Sequence, residues 1–163
     1  MPREGPTAGI TSVVESVSGI GISGSQHALV VGGGHVGRTV ASHLSDDYDV
    51  TFVSRNRQVV ERTTRGGVTT HHVEEIDANA LAEANAVEAS LAVAASADDG
   101  INFLASQLLR TTFGVENVVI RVDDRENLDS FDDLDVETVC VPELLVAEMS
   151  TRLESVADDV AEI

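Results

Sequence analysis

The chain has 163 residues, of which 42% are hydrophobic, 28 acidic and 10 basic, for a formal charge of −18. All ten basic residues are arginine and there is no lysine. Phosphate neutralisation needs a basic face, so a general nucleic-acid or anionic-membrane binder is excluded. Lysine chemistry, such as a Schiff base or a Walker-type P-loop, is excluded with it.

The length suits one domain able to bury a core. With aromatics at 3% and no tryptophan, that core must be built from Val, Leu, Ile and Ala, and a base-stacking surface is not expected. The single cysteine, Cys140, cannot form an internal disulfide, which fits a reducing compartment. No apolar run approaches the roughly 18 residues of a membrane span. The N-terminus lacks the basic-then-apolar order of a signal peptide. A cytoplasmic protein is therefore expected. The acid excess without lysine reads as adaptation to a very salty cytoplasm. At about 1 M salt the Debye length is only about 3 Å, whereas in dilute buffer the same surface repels itself. The alternative is an acidic surface with a function of its own.

Residues 1–25 read as a flexible tail with Pro2, Pro6 and many Gly and Ser. Within it Ile10, Val13, Val14 and Val17 recur at helical spacing, a stripe suited to docking on a partner or on the domain. The domain proper is expected over residues 26–163. Ala28-Leu29-Val30-Val31 predicts a buried strand running into Gly32-Gly33-Gly34. A helix over 35–45 follows, with Val36, Val40, Ala41 and Leu44 on one face. Residues 49–53 predict a second strand, 57–64 a helix, 68–73 a third strand and 78–86 a helix. Residues 90–95 are continuous and apolar, so a central fourth strand is expected. A long helix over 99–112 turns Ile101, Leu104, Ala105, Leu108 and Leu109 inward and stops at Gly114. Residues 117–122 and 136–141 predict the fifth and sixth strands, with a short acidic helix or loop between them through Asp133. Pro142 opens a last helix, to about Ala157, as a first-turn proline. Strand and helix alternate through six strands. That order predicts an α/β fold, a doubly wound parallel six-stranded sheet of Rossmann type.

Gly32-Gly33-Gly34-His35-Val36-Gly37 fits G-x-G-x-x-G, and it stands between a strand and a helix, the context that gives the pattern meaning. Gly32 permits the tight turn, Gly34 lets a pyrophosphate approach the backbone, and Gly37 lets helix and strand pack closely. The free amides at the helix start then face the phosphates. About 20 residues on, an acid normally holds the ribose 2′-hydroxyl. In this chain the run is Ser54-Arg55-Asn56-Arg57, with Ser54 in the place of the acid. A serine and two guanidinium groups suit a 2′-phosphate, which favours NADP(H) over NAD(H). The alternative is that Arg55 and Arg57 pair with the abundant surface acids.

With these residues in view, the chain resembles the N-terminal nucleotide-binding domain of the TrkA potassium-uptake regulators, also called the RCK or KTN domain, over nearly all of residues 27–153. The resemblance rests on residues 29–38 at the first strand and turn, on 96–102 with Asn102, on 119–122 with Arg121, and on 139–145 at the last strand and helix. It implies binding of a nucleotide, NAD(P)(H), ATP or ADP, and transmission of a conformational change to an ion channel or membrane potassium transporter. It also implies pairing as a homodimer. Where the family carries Gly-Asp after the third strand, this chain has Val73-Glu74, so Glu74 is the nearest equivalent. The family's companion ligand-binding domain is not expected within these residues. The site expected on these grounds places Gly32, Gly33, Gly34, His35, Val36 and Gly37 on the pyrophosphate. Ser54, Arg55 and Arg57 meet the adenosine ribose, and Glu74 and Ser96 lie further along the crevice.

No catalytic set emerges. His71 and His72 are adjacent in a strand and face opposite ways. His35 and His43 stand two turns apart on one helix, without zinc spacing. Cys140 sits in an apolar strand as an inert core thiol. The acids from Asp123 to Asp135 lack EF-hand order, so no metal site is expected. A regulatory binding module without enzymatic activity is the reading these features support. A small NADP-linked oxidoreductase is the alternative, and it would need a proton donor and a substrate pocket from elsewhere.

Overall fold

The computed structural model describes residues 26–161. The predicted tail and its apolar stripe at residues 10–17 lie outside the described residues. Six strands form one parallel sheet: β1 (His27–Val31), β2 (Asp49–Ser54), β3 (Thr69–His72), β4 (Ala89–Ala94), β5 (Asn117–Val122) and β6 (Glu137–Cys140), in the order β3-β2-β1-β4-β5-β6. The helices are α1 (His35–Leu44), α2 (Arg57–Arg65), α3 (Ala78–Glu83), α4 (Asp99–Gln107) and α5 (Val141–Ala161). The doubly wound reading holds, and β4 is central as expected.

The sheet divides the core in two because successive side chains on a strand point to opposite faces. Ala28, Val30, Val50, Phe52 and Leu91 pack on one side with Ala41 and Leu44 of α1. Leu29, Val31, Val53, Ala92, Ala94, Val118 and Ile120 pack on the other with Leu81 of α3 and with Ala105 and Leu109. This explains why β1 reads as an unbroken apolar run: it is buried on both faces.

Helix starts follow local chemistry. Asn56 caps α2 by accepting from the Gln58 and Val59 amides at 3.0 and 3.2 Å. Asp77 caps α3 through the Ala80 amide, and Asp98 caps α4 through the Gly100 and Ile101 amides. Such caps satisfy donors that have no carbonyl one turn back.

The structure corrects several details. The expected long helix over 99–112 is α-helical only to Gln107. It then widens into a π-type turn over Leu108–Thr112, where the Phe113 amide reaches back to the Leu108 carbonyl. Gly114 follows at φ +66°, and Arg110 locks the turn by donating to the carbonyls of Leu134 and Val115. Leu104, expected inward, is 42% exposed, and Val36 is 46% exposed, because each lies at the rim of its helix's inner stripe. The helix expected over 78–86 breaks at Asn85, which takes φ +65° before a short 3-10 turn (Ala86–Glu88). The acidic stretch is a 3-10 segment (Arg125–Leu134). The last helix begins one residue before Pro142 and runs beyond Ala157, and every residue over 143–161 is exposed.

Candidate functional site

In this strand order the chain turns to one side after β1 and to the other after β4, so the loops leaving these neighbouring strands part at the C-terminal edge of the sheet. A crevice opens there. It is lined by Gly32, Gly33, Gly34, Ser54, Arg55, Asn56, Ile76, Ser96 and Ile101.

The glycines have distinct roles. Gly32 and Gly33 take φ of +76° and +96°, a region that side chains rarely tolerate. A Cβ on Gly33 would stand 2.7 Å from the Ala95 carbonyl oxygen, and one on Gly37 would stand 2.1 Å from that of Gly32. Both are therefore packing glycines, and Gly37 is buried. A Cβ on Gly34 would meet nothing within 4 Å, so space is open above Gly34 at the start of α1. Helix α1 has no side-chain cap at Gly34 and no acid in its first turn. Its leading amides consequently face the crevice mouth without a protein cap, unlike those of α2, α3 and α4.

At the far end of β2, Ser54 is 2% exposed, and its hydroxyl oxygen accepts from the Asn56 amide at 3.0 Å. Arg55 is exposed, and its Nε donates to the Glu74 carbonyl oxygen at 3.0 Å. His72 Nε2 lies 3.2 Å from the Arg55 carbonyl oxygen. The end of β3 and the loop after it thus brace Arg55 at both its side chain and its backbone. Glu74 contributes its backbone to this contact; its exposed carboxylate is not part of the crevice lining. Arg57 occupies the first turn of α2, exposed and off the lining.

The opposite wall is the exit of β4. Ser96 lines it, and its position is fixed from behind. Asn102, fully buried, accepts from the Ser96 amide at 3.0 Å and donates to the carbonyls of Ser96 at 2.7 Å and Arg121 at 2.9 Å. Arg121 clasps Asp123 through two nitrogens at 2.7 and 3.0 Å. Asp99 accepts from the amides of Asp123 and Asp124 and from Asn127 Nδ2. Burial acts to raise the Asp99 pKa. The three donors together with the Arg121 charge outweigh that effect and hold the carboxyl below its ordinary value.

Of the expected site residues, the fold brings Gly32, Gly33, Gly34, Ser54, Arg55 and Ser96 together around one crevice. His35, Val36 and Gly37 stand beside it on α1 and can offer backbone amides. Arg57 and Glu74 lie outside the lining. Sequence reasoning missed Asn56, Ile76 and Ile101. Asn56 is legible as a cap residue one position before a helix; the two isoleucines carry no local signal. Among the described residues no group of three or more His, Cys, Asp or Glu is placed to hold a metal ion. No described helix is long and apolar enough to cross a membrane.

Comparison with known proteins agrees with this geometry. The chain is 30% identical over 140 residues to the Trk system potassium uptake protein TrkA of Haemophilus influenzae, covering 77% of this chain and 29% of that protein. It is 29% identical over 130 residues to the protein of the same name from Streptomyces coelicolor, covering 78% and 58%. The chain thus spans about a third to three fifths of the length of these relatives. Among solved structures, the TrkA-N domain of the inner membrane protein ybaL from Escherichia coli superposes with a TM-score of 0.72 at 16% identity, covering 81% of this chain and 99% of that one. The GsuK channel bound to NAD superposes at 0.60 and 14% identity, covering 85% and 31%. These two likenesses show the fold. The family model of the TrkA-N domain matches residues 28–142, and the chain belongs to that family.

Proposed function

We propose that the chain is a cytoplasmic regulatory module that binds a nicotinamide dinucleotide in the glycine crevice and acts, as a homodimer, on a membrane potassium transporter or channel. The observation that carries the binding reading is the start of α1. Among α1 to α4 it alone lacks a side-chain cap, and it opens onto free space over Gly34 at the point where the sheet order reverses. Uncapped helix amides at that place form an anion site suited to a pyrophosphate. The TrkA relatives by their names, and the GsuK structure with its NAD, support the potassium and dinucleotide parts of this reading.

Between dinucleotides the chain favours NADP(H). The β2 end carries Ser54 where an acid would repel a 2′-phosphate, and the braced guanidinium of Arg55 stands on the crevice wall. ATP and ADP share the adenosine and phosphate groups and are expected to bind more weakly.

Isothermal calorimetry in about 1 M KCl with NAD, NADH, NADP, NADPH, ATP and ADP tests this. Tightest binding by the two 2′-phosphorylated forms is expected. Binding of none of the six overturns the reading. Robust turnover of NADPH with simple carbonyls would replace the regulatory module with a small oxidoreductase.

A further inference from the structure

A second cavity, of about 230 Å³, opens between the first turns of α4 and the 3-10 segment. It matches the glycine crevice in size, about 210 Å³, and far exceeds the roughly 10–15 Å³ that admits one water. Its lining is Asp99, Gly100, Phe103, Asn127, Ser130 and Phe131. The start of α4 serves both spaces, since Ile101 lines the crevice while Asp99 and Gly100 line this cavity.

The walls combine two kinds of chemistry. One is aromatic. Phe103 and Phe131 meet edge to face, with ring centroids 5.5 Å apart and planes at 71°. The chain has four phenylalanines, one tyrosine and no tryptophan, so half of its phenylalanines gather at this one place. The other kind is a set of acceptors. The Asp99 carboxylate accepts from the Asp123 amide at 2.8 Å, the Asp124 amide at 2.9 Å and Asn127 Nδ2 at 2.8 Å. Burial opposes its charge, and these donors with the Arg121 charge keep it ionised. Because Asn127 spends its amide nitrogen on Asp99, its Oδ1 is left as an acceptor, and the exposed Ser130 hydroxyl has no partner among the described residues. The Gly100 amide is already given to Asp98 at 2.9 Å. No arginine lines the cavity, and the two nearest in sequence are engaged elsewhere: Arg121 by Asp123 at 2.7 Å and Arg125 by Glu143 at 3.0 Å.

We propose that this cavity binds a small organic cation, a protonated amine whose N–H groups donate to Asp99, Asn127 and Ser130 and whose alkyl body lies against Phe103 and Phe131. Charge-assisted bonds to a carboxylate are the strong ones, and aromatic rings attract a cation further. The other ligand classes fit less well. An anion would meet the Asp99 charge. A wholly apolar molecule would strand that charge away from water. A bare calcium-type ion takes roughly six or more oxygen ligands, where ring carbons fill part of this wall. The cavity stands apart from the glycine crevice, so the proposal does not rest on nucleotide binding.

An amide NMR titration of the full chain with butylammonium chloride in about 1 M NaCl tests this, with circular dichroism confirming that each protein is folded. Saturable shifts are expected at the Gly100, Asn127 and Ser130 amides. n-Butanol, the neutral counterpart of the same length, should bind at least about tenfold more weakly. Ser130→Arg should abolish saturation by placing a cation at the rim, and Ser130→Asp should tighten binding by adding a second carboxylate. Ser130 is exposed, so both variants should fold as the wild type does. Asp99→Asn should lose at least about tenfold in affinity; if loosening of its loop unfolds that variant, the Ser130 pair still decides. Absence of saturable shifts, n-butanol binding as tightly as butylammonium, or affinity indifferent to both Ser130 variants would each overturn the proposal. Equal shifts on adding KCl in place of butylammonium would overturn it too, in favour of an inorganic-cation site.

Discussion

Arg55 Nε donates to the carbonyl oxygen of Glu74 at 3.0 Å. The bond joins the loop after β2 to the loop after β3 and holds a cation at the mouth of the crevice. It uses one guanidinium nitrogen, leaving the terminal two to meet a ligand, and a charge-assisted bond of this kind is worth roughly 1.5–3 kcal/mol. Arg55→Asp should therefore weaken NADP binding by about tenfold or more while affecting NAD much less. Calorimetry with both ligands checks it, and equal losses for the two would remove the 2′-phosphate assignment.

The glycines separate binding from folding. Gly34→Ala places a methyl group in open space, so it should disturb melting less than Gly37→Ala does while nucleotide affinity drops. Gly37→Ala drives a methyl group to 2.1 Å from the Gly32 carbonyl oxygen. It forces α1 off the sheet and should cost about 1–3 kcal/mol of stability. Denaturant melts paired with a binding titration distinguish the two. A Gly34→Ala protein as unstable as Gly37→Ala would contradict this division of roles.

Asp99 makes stability depend on acid. Its folded pKa is lowered, so its contribution is fully present above the ordinary carboxylate value of 3.8 and is lost as pH falls through the folded value. Asp99→Asn should cost about 2 kcal/mol near pH 7, and the gap between the two proteins should narrow as pH falls below the ordinary carboxylate value and through the lowered folded one. Urea midpoints across that range provide the check.

If the acidic surface is adapted to salt, stability should require it. Raising KCl from about 0.1 to 2 M shortens the screening length several-fold, and the melting temperature should climb by at least about 5 °C. A flat profile would return the −18 charge to some other function.

Much of the architecture was legible in the sequence because it depends on local periodicity. The apolar run at Ala28 to Val31, the glycines that follow it and the strand–helix alternation are local facts, and they determined a doubly wound sheet. They also placed Gly32, Gly34, Ser54 and Arg55 at strand ends that such a sheet must bring together. The sequence could not show which of these groups face one another, since that depends on contacts between distant segments. Only the tertiary structure decided that Glu74 serves Arg55 through its backbone, that Ile76 and Ile101 close the crevice, and that Asn102 links Ser96 to Arg121. It likewise decided that α5 stands clear of the sheet. Helical periodicity reports that an apolar stripe exists, but the partner that covers it is set by packing, and the described domain does not supply one.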